Sequence, residues 1–137
     1  DMCIARAMAR ISDADVFVLD PVPNCTEMMC DTLTYDFVRT LRVLRPEVPI
    51  IMVEGPMYTY AKYDSYFKEY LPKKNVAFRR NYERLIADGY KDIYYVTSDG
   101  ICGDDNEGTV DGIHYTDIGF RRYADKLIPI IKPLLER

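Results

Sequence analysis

A chain of 137 residues fits a single domain, since domains run roughly 100–200 residues, and 48% apolar with 29% charged residues excludes a disordered chain or a collagen-like fibre. With 22 acidic against 18 basic residues the net charge is −4 and the pI near 5.0, which argues against the basic footprint of a nucleic-acid binder. No apolar run approaches the ~20 residues needed to span a bilayer.

The opening Asp1-Met2-Cys3-Ile4 lacks the basic start and long apolar stretch of a secretory signal. Ile4, Ala7, Met8 and Ile11 repeat at helical spacing from almost the first residue, so the chain reads as one cut from something longer. Val16-Phe17-Val18-Leu19-Asp20, closed by Pro21, is continuously apolar and suits a strand covered on both faces. Leu33, Phe37, Val38, Leu41 and Leu44 trace a helix that Pro46 stops. A second buried strand is expected at Pro49 to Glu54, before Gly55-Pro56. Residues 57–74, rich in tyrosine and lysine, read as a loop and a short helix. Phe78, Tyr82, Leu85 and Ile86 mark a further helix capped by Gly89, and Ile93 to Thr97 a third strand. After a polar loop from Ser98 to His114, Phe120 to Ile131 form an amphipathic helix with Thr116 as N-cap and a kink or break expected near Pro129. Strands alternating with helices predict an α/β fold with a parallel sheet.

Ligands of open α/β sheets bind outside the carboxyl ends of the strands. Here those ends lead into Asp20 to Thr26, Glu54 to Tyr58, and Ser98 to His114. The last segment holds the only histidine. In Asp111-Gly112-Ile113-His114 the carboxylate can accept the imidazole Nδ1–H and free Nε2 as a base, although a chance surface pair has the same spacing.

Gly108 to Phe120, with this Asp-x-x-His just ahead of a helix, resembles the last block of the SGNH (GDSL-type) hydrolases. Val18 to Asn24 resembles the family's third block, where a strand ends in a loop carrying an oxyanion-hole asparagine. Gly89 to Val96 is similar to the strand before the catalytic loop in the secreted carbohydrate-esterase-like branch. The resemblance implies a flavodoxin-like three-layer α/β/α fold with a parallel sheet, of which this chain holds the last three strands and their helices. It implies a Ser-His-Asp esterase with His114 as general base, Asp111 as its orienting partner and Asn24 as oxyanion donor. It implies no metal and no cofactor, and an exported location. The expected substrate is a small-molecule or glycan ester, an acetyl ester of a carbohydrate above all.

The family's Gly-Asp-Ser nucleophile motif is missing. Of the serines, Ser12 precedes the first strand, Ser65 lies among the tyrosines, and Ser98 is not where the family carries its nucleophile. The serine is therefore expected on an N-terminal segment of the same domain outside these residues. Without that segment the strand at 16–20 keeps an open edge, so the chain alone is expected to be inactive, and stable only with the segment docked or paired with another copy. Other readings remain: a non-catalytic binding module on the same fold, and a phosphoacceptor domain with Asp20 at the strand end. Asp104, Asp105, Asn106, Glu107 and Asp111 could hold calcium or form a solvated loop, and Tyr58, Tyr60, Tyr63, Tyr66 and Tyr70 could stack on a sugar or pack a helix. Cys25 and Cys30 read as buried free thiols.

Overall fold

The computed structural model describes residues 2–136. In chain order the elements are α1 (Met2–Met8), β1 (Phe17–Leu19), α2 (Glu27–Leu44), β2 (Ile50–Val53), α3 (Ser65–Ala87), β3 (Ile93–Val96) and α4 (Asp117–Leu135). The strands form one parallel sheet in the order β1-β2-β3, with Phe17 beside Ile50 and Ile50 beside Ile93. All four residues of β2 are buried, which is why its sequence is continuously apolar rather than alternating. Ile50 and Met52 join the core under α2 and α3, while Ile51 and Val53 join the smaller core under α4. This gives three layers, the truncated flavodoxin-like arrangement expected, with α1 packed on α2.

Local chemistry starts the helices where they begin. Thr26 accepts from the Met29 N–H at 3.2 Å, Asp64 from the Phe67 N–H at 3.2 Å, and Thr116 from the Gly119 N–H at 3.1 Å. At the opposite rim, where the strands enter, the buried guanidinium of Arg42 donates to the carbonyls of Arg45, Pro46, Val48 and Asp92.

Four expectations need correction. Residues 57–64 hold a loop and the short 3₁₀ turn Thr59–Lys62, as expected, but the rest of 57–74 is part of a long helix: α3 runs unbroken from Ser65 through Pro72 to Ala87. Burial of Leu71, Lys74, Ala77 and Phe78 on both sides of the proline holds the two halves in one helix despite the lost hydrogen bond. No break occurs at Pro129 either, because Leu127, Ile130, Ile131 and Leu134 all pack on the sheet. In α1 the fully buried residue is Ala5, while Ile4 and Ile11 are exposed and Ile11 lies beyond the helix end. In α2, Leu33 and Leu44 are exposed, and Cys30, Thr34, Val38, Leu41 and Arg42 form the buried face. Ile4 and Leu33 line a groove beside β1, and this accounts for apolar side chains left open to solvent. Among the described residues, β1 pairs with β2 alone. No helix of the described residues is long and apolar enough to cross a membrane.

Candidate active site

The loop from Ser98 to Thr116 leaves β3 at its carboxyl end and returns to α4. Thr109 and Tyr115 pair across its neck, where the Val110 N–H donates to the His114 carbonyl at 2.8 Å and the Thr116 N–H to the Gly108 carbonyl at 3.1 Å. A side chain at Gly119 would put a Cβ 2.1 Å from that same carbonyl, so glycine lets α4 start hard against the neck. At the tip, Asp111 Oδ1 accepts from the N–H groups of Ile113 (2.9 Å) and His114 (2.8 Å), and Oδ2 lies 2.6 Å from His114 Nδ1. Gly112 makes this turn with φ +90°, and a Cβ there would also meet Tyr60 Cβ at 2.8 Å. The His114 and Ile113 N–H groups and the imidazole hold the Asp111 carboxyl well below its usual range, so it stays ionised. An ionised carboxylate facing Nδ1 keeps the proton on that nitrogen and leaves Nε2 basic. The imidazole is largely exposed, at 76% of its side chain.

Asn24 ends the 3₁₀ turn Val22–Asn24 just past β1, with its side chain exposed. Its neighbour Pro23 is pinned through its carbonyl, which accepts from Lys74 Nζ at 3.2 Å and from the Tyr58 hydroxyl at 3.5 Å. Tyr58 stacks on Tyr60 with ring centres 5.9 Å apart, and the Tyr60 N–H donates to the Gly112 carbonyl at 3.4 Å. Residues 58–60 therefore bridge the Asn24 turn and the Asp111–His114 loop. The structure brings Asp111 and His114 into direct contact; no hydrogen bond among the described residues joins Asn24 to either.

None of the three serines bonds to His114. Ser98 is engaged elsewhere: its N–H and hydroxyl donate to Glu54 Oε2 at 3.0 and 3.3 Å. Glu54, 5% exposed at the end of β2, also accepts from Arg79 (2.5 and 3.2 Å) and from the Tyr95 hydroxyl (2.8 Å). Beside it, Asn75 and Gly55 exchange two hydrogen bonds, at 2.8 and 2.9 Å. An open cavity of about 530 Å³ faces this cluster, lined by Arg79, Arg80, Glu83, Ser98 and Asp99 but by none of Asn24, Asp111 and His114. Glu54 is a structural centre that its neighbours in the chain do not mark, the one signal being a lone carboxylate closing an apolar strand.

The remaining candidates take ordinary partners. Asp20 accepts from the Tyr123 hydroxyl at 2.9 Å. In the acidic loop, Asp105 pairs with Arg122 at 2.5 Å, which lowers its pKa to about 2, and Asn106 accepts from Lys62 at 2.8 Å. Among the described residues no three His, Cys, Asp or Glu side chains converge as metal ligands. Cys30 is buried, and burial raises its thiol pKa to about 11; Cys25 is half-buried.

Comparison with known proteins decides the family. The pattern defining the GDSL-like lipase/acylhydrolase family matches residues 1–132. The chain belongs to that family. A GDSL-like lipase from Bacteroides ovatus is similar over 99% of this chain and 40% of its own, with 34% identity and a TM-score of 0.92. A salicylyl-acyltransferase from a tetracycline biosynthetic pathway is similar over 98% of this chain and 41% of its own, at 16% identity and TM-score 0.73. A Clostridium thermocellum family 3 carbohydrate esterase covers 97% of this chain with 67% of its own, at 19% identity and TM-score 0.64. The last two likenesses concern fold alone. The chain spans about two fifths of the first two structures. No curated protein matches it.

Proposed function

We propose that these residues form the histidine–aspartate part of a serine esterase whose nucleophile lies on a preceding segment of the same domain. The observation that carries the reading is the 2.6 Å contact between His114 Nδ1 and Asp111, within a loop built to hold it. In the proposed reaction the serine hydroxyl attacks the ester carbonyl and His114 Nε2 takes its proton. Asp111 stabilises the imidazolium, and the Asn24 amide and backbone N–H groups stabilise the oxyanion. His114 then protonates the leaving alcohol. Water, deprotonated by the same nitrogen, attacks the acyl-enzyme, and its collapse returns the free serine and a carboxylic acid.

The place for the missing segment is the open side of β1. A groove of about 410 Å³ runs there, lined by Ile4, Met8, Val18, Met29, Leu33 and Phe37, and the unpaired strand edge offers its backbone groups beside it. A strand docked on that edge reaches the carboxyl end of the sheet, where Asn24 and the His114 loop stand. The proposed substrate is a carbohydrate-linked acetyl ester. Its support is the likeness of residues 89–96 to the carbohydrate-esterase-like branch. The linked rings of Tyr58, Tyr60, Phe67, Tyr66 and Tyr70, which start against the Asp111–Gly112 turn, add to it as a surface for a sugar ring.

The test is labelling of the full-length protein with a fluorophosphonate. Labelling of a serine outside residues 1–137, lost by at least ~10³-fold in His114→Ala, is the expected result. A full-length protein that folds but neither labels nor hydrolyses a small acetyl ester would overturn the esterase reading in favour of a binding module.

A further inference from the structure

We infer that Lys74 is a positioning residue for the oxyanion donor, its buried ammonium holding the peptide unit that leads into Asn24. The inference rests on the esterase reading above, in which Asn24 is that donor. Lys74 stands on the buried face of α3 with Leu71, Ala77 and Phe78, a place that packing alone would give to an apolar side chain. It is 5% exposed, and among the described residues no carboxylate pairs with it. The ionisable groups that act on it are the Cys30 and Cys25 thiols, and burial lowers the pKa of its ammonium. A cation in such a place costs free energy, and its hydrogen bond there runs from Nζ to the Pro23 carbonyl at 3.2 Å.

That carbonyl shares one planar peptide unit with the Asn24 nitrogen. The Asn24 N–H donates to the Pro21 carbonyl at 3.0 Å, and the Cys25 N–H to the Val22 carbonyl at 3.2 Å. The turn thus uses the carbonyls of Pro21 and Val22 for itself and leaves that of Pro23 to be met from α3. With its oxygen tied to Lys74 and its N–H tied to Pro21, the unit cannot rock, and the Asn24 Cα behind it stays fixed. Val22 seats the turn from below: it is 1% exposed, and a Cβ on Gly55 would come within 2.8 Å of its Cγ1. Other groups are poor substitutes for the ammonium. The gap between the turn and α3, lined by Val22, Pro23, Tyr58, Leu71 and Lys74, has no room for a water molecule. The Tyr58 hydroxyl reaches the same oxygen only at 3.5 Å. Lys74 acts on the reaction through Asn24 alone.

Lys74→Met in the full-length protein keeps a long side chain and removes the donor. With a small acetyl ester the expected result is a fall in kcat of ~10-fold or more and a KM nearly unchanged, since an oxyanion donor acts in the transition state. Asn24→Ala alone should cost ~10²–10³-fold, and adding Lys74→Met to it should lower kcat by less than about twofold, because the group it positions is gone. A role in the fold alone gives equal losses in the two backgrounds and overturns the proposal. A wild-type kcat in Lys74→Met, or a change confined to KM, also overturns it. If Lys74→Met does not fold, Lys74→Gln, with its shorter amide donor, goes through the same cycle; failure of both to fold assigns Lys74 to the core and overturns the proposal. The esterase reading fails separately, when the wild-type protein turns over no acetyl ester, and the role of Asn24 fails when Asn24→Ala keeps the wild-type kcat. Either result overturns the inference before Lys74 is varied.

Discussion

Asp111 stands half exposed in a tight turn and takes all its hydrogen bonds from residues two and three positions away. Glu54, at the same end of the sheet, is 5% exposed and takes its bonds from residues 25 to 44 positions away. The two carboxylates solve different problems. Asp111 suffers little desolvation, so its charge can be spent on orienting an imidazole that still reaches solvent. Glu54 is nearly stripped of water and must be repaid by Arg79, Tyr95 and Ser98, and in being repaid it ties α3 and the start of the 98–116 loop to the end of β2. Loss of the first should cost chemistry with little stability, and loss of the second stability before chemistry.

The comparison is easiest to break at Asp111. In the full-length protein Asp111→Asn should lower kcat/KM by ~10⁴-fold, since an amide no longer enforces the Nδ1–H tautomer, while the urea midpoint moves little. A rate loss under tenfold would put Asp111 among ordinary turn residues. Glu54→Gln should destabilise by about 2 kcal/mol, below the figure for a fully buried pair because Arg79 is itself half exposed. The check is a urea unfolding curve with unchanged slope and a lower midpoint. The smallest effect concerns acid. Asp111 and Asp105 are both held below the ordinary value of 3.8, Asp105 at about 2 through Arg122. Groups with depressed folded pKa values stabilise in full above the unfolded value and lose that contribution as pH falls, for Asp105 between about pH 4 and pH 2. Removing the partner in Arg122→Ala should flatten that part of the stability profile, measured as urea midpoints at pH 8, 6, 5, 3 and 2, and leave the values above pH 5 parallel to wild type.

The same contrast explains what the amino-acid order disclosed. Asp111, Gly112 and His114 are neighbours in the chain, so their turn is written locally and could be read from four residues. The three strands were equally legible, being short apolar runs with proline, glycine or polar residues at their ends. The Glu54 cluster was not, because no local pattern couples residue 54 to residues 79, 95 and 98. The long α3 was misread for a related reason. Pro72 and the surrounding tyrosines and lysines signal interruption locally, and only tertiary burial of Leu71, Lys74, Ala77 and Phe78 overrides them. The exposed Ile4 and Leu33 misled in the opposite sense, since a helical stripe shows that a face is apolar but not what lies against it.

Arg42 carries one more consequence. By gathering four carbonyls where the strands enter the sheet, a single cation fastens the rim farthest from the His114 loop. That fastening does not depend on which side chains occupy the exit loops. Substitutions that retune what the loops accept can therefore accumulate without loosening the frame, and Arg42 itself is the change the frame should tolerate least.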